Sequence, residues 1–137
     1  MKGYIYMKVT NLTSPRTGAK VANQFTIEGD GGEYFQSYDT MIGYISQAPN
    51  KIIVTGDYNY SNTTSKHFKQ WLTDWGFDDS DVEYIKKMLR KCDYGDFFTH
   101  TVGSNSYIIY LTSNLDDAVK YHRGESPLGT SVGMSGK

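Results

Sequence analysis

Cys92, Asp96 and His100 place a thiol, a carboxyl and an imidazole in one short stretch, Cys92-Asp93-Tyr94-Gly95-Asp96-Phe97-Phe98-Thr99-His100. Zinc accepts all three donor types, and Asp93, another histidine or water can complete a tetrahedron. Standard zinc spacing pairs ligands two to four residues apart in both halves of a site, and this stretch lacks that pattern. A helix end that turns into a hairpin explains the same residues, so zinc is expected as a structural ion at most. Nucleophilic catalysis needs Cys92 activated by a base, and His67, His100 and His122 are the available imidazoles. Cys92 falls on the apolar stripe of its helix, however, where it acts as a small buried hydrophobe. Gly29, Gly31 and Gly32 do not form a phosphate loop, because a strand follows them and not a helix. No catalytic signature emerges, and a non-enzymatic protein that works by binding is expected.

Charge is segregated locally. Asp74, Asp78, Asp79, Asp81 and Glu83 occur with no base among them, and Lys86, Lys87, Arg90 and Lys91 follow with no acid. Acids at a helix start and bases at its end complement the helix dipole. The same acids can instead form an edge that meets a basic groove on a partner, standing in for phosphates. A second patch joins Tyr58 and Tyr60 to Lys66, His67 and Lys69. Rings beside lysines can stack bases and hold phosphates, or the lysines are only the solvated face of a helix.

Composition narrows the choice of function. A chain of 137 residues with 38% hydrophobic content can build one globular core. Twelve tyrosines, against six phenylalanines and two tryptophans, exceed what so small a core can bury. Surplus tyrosine suits partner contacts, since its ring offers area at low entropic cost and its hydroxyl stays wet. It can also serve as core filler. A net charge of −1 fits neither a nonspecific nucleic-acid binder nor a wholesale DNA mimic. The single cysteine allows no internal disulfide and fits a reducing compartment. With no signal peptide and no apolar run of membrane-spanning length, a cytoplasmic protein without a membrane partner is expected.

The elements that must position these groups read as follows. Residues 4–12 form a strand, and a turn at Pro15 and Gly18 leads to residues 21–38, a β-hairpin about Gly29-Asp30-Gly31-Gly32. A short helix follows through Met41, Ile42, Tyr44 and Ile45, capped by Asp39 or Thr40. Residues 51–55 form a buried strand, and a ring-rich loop spans Gly56 to Tyr60. Thr64, Phe68, Trp71, Leu72 and Trp75 give an amphipathic helix capped by Ser61 or Asn62. A second helix opens on a capping box from Ser80 to Glu83, with Val82, Ile85, Met88, Leu89 and Cys92 inward. Residues 96–112 form another hairpin, and Asn114 caps a last helix over residues 115–122. The expectation is a single α+β domain over residues 1–124, in the order βββαβααββα, with a mobile tail over residues 125–137.

Three segments carry a resemblance: Val21-Ala22-Asn23-Gln24-Phe25, Phe35-Gln36-Ser37-Tyr38, and the aromatic-rich stretch from Asp57 to Lys66. They resemble small proteins carried by phages and prophages of Gram-positive bacteria, although Asn59 separates Tyr58 from Tyr60 where the pattern differs. The resemblance covers about the first half of the chain and assigns no catalytic residues. It implies a phage accessory protein in the bacterial cytoplasm that disarms a host defence protein, foremost the effector nuclease of a type II CRISPR system. In that reading Asp74, Asp78, Asp79, Asp81, Glu83 and exposed tyrosines hold the partner. The alternative is a nucleic-acid-binding or regulatory phage protein using Tyr58, Tyr60, Lys66 and Lys69.

Overall fold

The computed structural model describes residues 7–47 and 49–122. The start of the expected first strand and the expected tail over residues 125–137 therefore lie outside the described residues. Among those described, β1 (Lys8–Thr13), β2 (Lys20–Gly29), β3 (Gly32–Ser37), β4 (Thr40–Gln47) and β5 (Asn50–Thr55) come first. A 3₁₀ turn (Gly56–Asn59), α1 (Asn62–Asp74), α2 (Asp79–Lys91), β6 (Phe97–Val102), β7 (Asn105–Thr112) and α3 (Leu115–His122) follow. The strands form one seven-stranded sheet in the order β1-β2-β3-β4-β5-β7-β6. Among the described strands only β5 and β7 pair in parallel. The class is α+β, as the sequence led us to expect.

The β2–β3 hairpin turns through Asp30 (φ 57°) and Gly31 (φ 80°), both left-handed, while Gly29 pairs with Gly32. Two positive φ angles in a two-residue loop match the twist of the flanking strands. The Tyr34 hydroxyl donates to Asp30 Oδ2 at 2.7 Å, and the Tyr44 hydroxyl donates to the Asp30 carbonyl at 2.6 Å. Burial, reinforced by the Asp30 carboxylate, pushes the Tyr34 phenol far above its ordinary range.

The expected helix through Met41, Ile42, Tyr44 and Ile45 is strand β4. Its pairing explains the misleading spacing. Phe35 pairs with Gly43 and Gln36 with Met41, so Ile42 is an extra, bulged residue. The bulge lets both Ile42 and Ile45 join the core beneath α1, while Tyr44 joins the cluster on the other face. Alternation is broken, and the apolar positions fall at i, i+1, i+3 and i+4, which imitates a helix.

Ser61 caps α1, its Oγ accepting from the Thr64 N–H at 3.1 Å. The capping box of α2 lies two residues before its expected place. Asp78 accepts from the Asp81 N–H, and Asp81 accepts from the Asp78 N–H, each at 2.9 Å. Phe68, Trp71 and Leu72 of α1 and Val82, Ile85 and Leu89 of α2 pack on one sheet face, and Leu115 and Val119 of α3 pack on the other. Covering both faces makes β5 continuously apolar: burying Ile52, Ile53 and Val54 contributes about 1.5–3 kcal/mol each.

Chain direction then sets up a crevice. From the carboxyl end of β5 the chain passes to α1 on one face, and from the adjacent end of β7 it passes to α3 on the opposite face. Parallel neighbours whose connections diverge to opposite faces leave an opening between their carboxyl ends, the usual ligand position in α/β sheets.

Candidate functional site

The expected zinc ligands do not gather. Among the described residues no group of three or more His, Cys, Asp or Glu side chains is placed to hold a metal ion. Cys92 ends α2 half-buried against the main core, where burial, and then Asp96 and Asp93, raise its thiol above the ordinary range. Asp96 Oδ2 accepts from the Asp93 N–H at 2.8 Å and closes the turn after α2. His100 points elsewhere, with Nε2 2.7 Å from Asp81 Oδ1 and its ring stacked on Tyr84 at 5.0 Å. His67 is buried with Nδ1 2.9 Å from the Thr63 carbonyl in its own helix. Neither imidazole is hydrogen-bonded to Cys92, and the His122 side chain lies outside the described residues.

Most of the acidic edge is engaged within the fold. Asp78 and Asp81 form the capping box, Asp81 also holds His100, and Asp79 lies 3.4 Å from Lys69 Nζ. Hydrogen bonds from the Asp81 N–H and the Ser80 hydroxyl hold the Asp78 carboxyl below its usual range. Desolvation, then the Glu33 carboxylate, raises Asp74 above it. Glu83 is exposed on α2. The aromatic patch divides as well. Tyr58 is a core residue, 5% exposed, with its ring 5.5 Å from Phe68, so it cannot stack on a base. Tyr60 is 76% exposed and Lys66 is exposed, while Lys69 is drawn toward Asp79.

What the fold brings together lies at the carboxyl ends of β5 and β7. A cleft of about 640 Å³ runs between the β3–β4 turn and the start of α1, with Tyr38, Asp39, Asp57, Tyr60, Ser61 and Thr63 on its walls. A second cleft, of about 400 Å³, lies between the ends of the parallel strands, walled by Met41, Asp57, Tyr94, Thr112, Asn114 and Asp116. Asp57 lines both. Four large side chains stand exposed around them: Tyr38, Met41, Tyr60 and Tyr94. A Cβ at Gly56 would overlap Tyr94 Oη, so the exposed Tyr94 ring would have to turn aside.

The walls are tied down beneath. Ser37 Oγ and Thr64 Oγ1 lie 2.9 Å apart and join β3 to the first turn of α1. Opposite Ser37 on β2, Gln24 is wholly buried, and its carboxamide has no hydrogen-bond partner among the described residues. Tyr38 holds φ at 56°, and its N–H donates to the carbonyl of Asn23 (φ 63°) at 2.7 Å. Residues 37–38 and 57–64, distant in sequence, thus meet at the larger cleft, and residues 23–24 lie beside Ser37 and Tyr38 through strand pairing and the Tyr38 N–H bond. Sequence reasoning named Tyr60 but missed Tyr38, Asp39, Met41, Tyr94 and Asp116. The tyrosine surplus was the available signal, and it did not say which rings stay outside.

Fold and site together define an α+β protein with two ring-flanked polar clefts at one end of a mixed sheet. The model of a family of unknown function (DUF8033) matches residues 7–88 of the 137, and the chain belongs to that family. No curated protein and no solved structure matches it. Among the described residues no helix is long and apolar enough to cross a membrane.

Proposed function

We propose that this protein acts as a non-enzymatic binder of a macromolecular partner, through the end of the sheet that carries the two clefts. The observation that carries the reading is the cluster of exposed Tyr38, Met41, Tyr60 and Tyr94 around concave, polar walls. Exposed tyrosine and methionine are enriched where proteins meet, and rings at the edge of a pocket are typical binding anchors. The resemblance of residues 21–25, 35–38 and 57–66 to phage and prophage proteins supplies the finer form. In that form the partner is a host defence protein, the effector nuclease of a type II CRISPR system, and the setting is the bacterial cytoplasm. The nucleic-acid alternative has less support, since Tyr58 is in the core and its ring cannot stack on a base.

Target cleavage by a purified RNA-guided nuclease of this type, with the full chain added in increasing amount, tests the finer form. Inhibition that saturates near equimolar protein is expected. Unchanged cleavage at large molar excess would remove the nuclease as partner. Binding of labelled single-stranded DNA that vanishes as salt rises would return the alternative.

A further inference from the structure

Among the described residues, the charged side chains lining the two clefts are carboxylates: Asp39 and Asp57 in the larger, Asp57 and Asp116 in the smaller. The start of α1 opens into the larger cleft and by itself would favour an anion. A helix start amounts to about half a positive charge, which the two carboxylates lining the same cleft outweigh. Tyr60 and Tyr94, 76% and 60% exposed, stand in the two clefts on either side of Asp57. A ring face beside a carboxylate suits a guanidinium or ammonium, which gains a charge-assisted hydrogen bond and a cation–π contact together. Hydroxyl and amide oxygens of Ser61, Thr63, Thr112 and Asn114 offer further acceptors for N–H donors.

We infer that the clefts receive a basic, extended segment of the protein partner, with arginine or lysine side chains seated on both sides of Asp57. The inference rests on the binding reading above and adds the chemistry of what is bound. Two clefts sharing one wall residue fit a chain that places successive side chains left and right of that residue. A single small cation would occupy only one of them. The acidic residues expected to meet a basic partner, from Asp74 to Glu83, are on another part of the molecule and largely serve the α2 cap, His100 and Lys69.

The test titrates the ¹⁵N-labelled full chain with the peptide acetyl-Ser-Arg-Gly-Arg-Ser-amide and with its counterpart carrying Glu in place of both Arg. The arginine peptide should shift the amides of Asp57, Tyr60, Tyr94 and Asn114 in a saturable way, more strongly at low salt. The glutamate peptide should shift none of them. Asp57→Asn, an isosteric change at an exposed residue, should weaken binding roughly tenfold, and Asp116→Asn should weaken it less. Absence of shifts at the clefts, shifts confined to Asp79 and Glu83, or equal affinity of Asp57→Asn would overturn the inference. Nuclease capture by the same proteins separates the two levels. If the peptide fails to bind but Tyr60→Ala with Tyr94→Ala still abolishes capture, the basic occupant is wrong and the binding surface stands. If capture also survives that double change, both are wrong.

Discussion

Ser37 Oγ and Thr64 Oγ1 face each other at 2.9 Å, both buried, where β3 meets the first turn of α1. The same Thr64 hydroxyl lies 3.2 Å from Ser61 Oγ, the cap of that helix. A chain of three hydroxyls therefore fixes the helix start relative to the sheet, and with it the shape of the larger cleft. Thr64→Val keeps the side-chain shape but leaves Ser37 without its partner. Stranding a buried hydroxyl costs about 1–3 kcal/mol. Urea denaturation should show that loss, and a change below a few tenths of a kcal/mol would mean the wall is not held this way.

Glu33 Oε1 accepts from two indoles, Trp71 Nε1 at 2.9 Å and Trp75 Nε1 at 2.8 Å. Trp71 is fully buried, so its N–H has no access to water as a substitute. Glu33→Ala should therefore cost about 1–3 kcal/mol, and Glu33→Gln less, because it retains an acceptor oxygen. Tryptophan fluorescence reports the environment directly, since these are the only tryptophans in the chain. An unchanged emission spectrum and denaturation midpoint in Glu33→Ala would contradict the bridge.

Asp74 titrates above its ordinary value of 3.8, first from desolvation and then from the Glu33 carboxylate. A carboxyl whose folded value is raised adds to stability below the unfolded value, and that contribution is lost as pH rises through the folded value. Asp74 is exposed at the end of α1, so water screens much of this penalty, and its ionised form is only mildly unfavourable at neutral pH. Asp74→Asn should stabilise the protein there, and the gain should vanish below about 3.8. Equal midpoints of mutant and wild type at neutral pH would refute this. Asp78 has the opposite sign: its lowered value makes its cap effective above the unfolded value and weakens it in acid.

His100 joins β6 to the start of α2 through Asp81, with both side chains under a fifth exposed. Removing a largely buried hydrogen bond to a carboxylate costs about 1.5–3 kcal/mol, which sets the expected loss for His100→Ala. Retention of full stability, together with metal-dependent protection of the wild type, would instead revive an ion at this segment.

Legibility in the sequence followed how local each signal was. The β2–β3 hairpin, α1 with its Ser61 cap and the inner face of α2 were readable, because turn glycines and 3.6-residue periodicity lie close together in the chain. Strand β4 was misread because one bulged residue, Ile42, turned alternation into apparent helical spacing. The α2 cap was misplaced because Asp78 and Ser80 are both competent caps, and chain direction after Phe77 decides between them. The clefts were not legible. They depend on parallel pairing of β5 with β7, in which Lys51 meets Ile108 and Thr55 meets Thr112 across a connection that leaves no motif. The same distance hid that Tyr58 turns inward while Tyr38 and Tyr94 stay out.

The most direct test of the binding surface uses the tagged full chain as bait in a lysate of CRISPR-bearing Gram-positive cells, with the captured effector nuclease measured by mass spectrometry. Wild type is compared with Tyr60→Ala plus Tyr94→Ala, and with Asp79→Asn plus Glu83→Gln on the acidic edge. The account predicts stoichiometric nuclease with wild type and the acidic-edge variant, and loss of capture with the tyrosine variant. Capture that survives the tyrosine change and fails with the acidic-edge change would contradict it, as would wild-type bait that retains no nuclease.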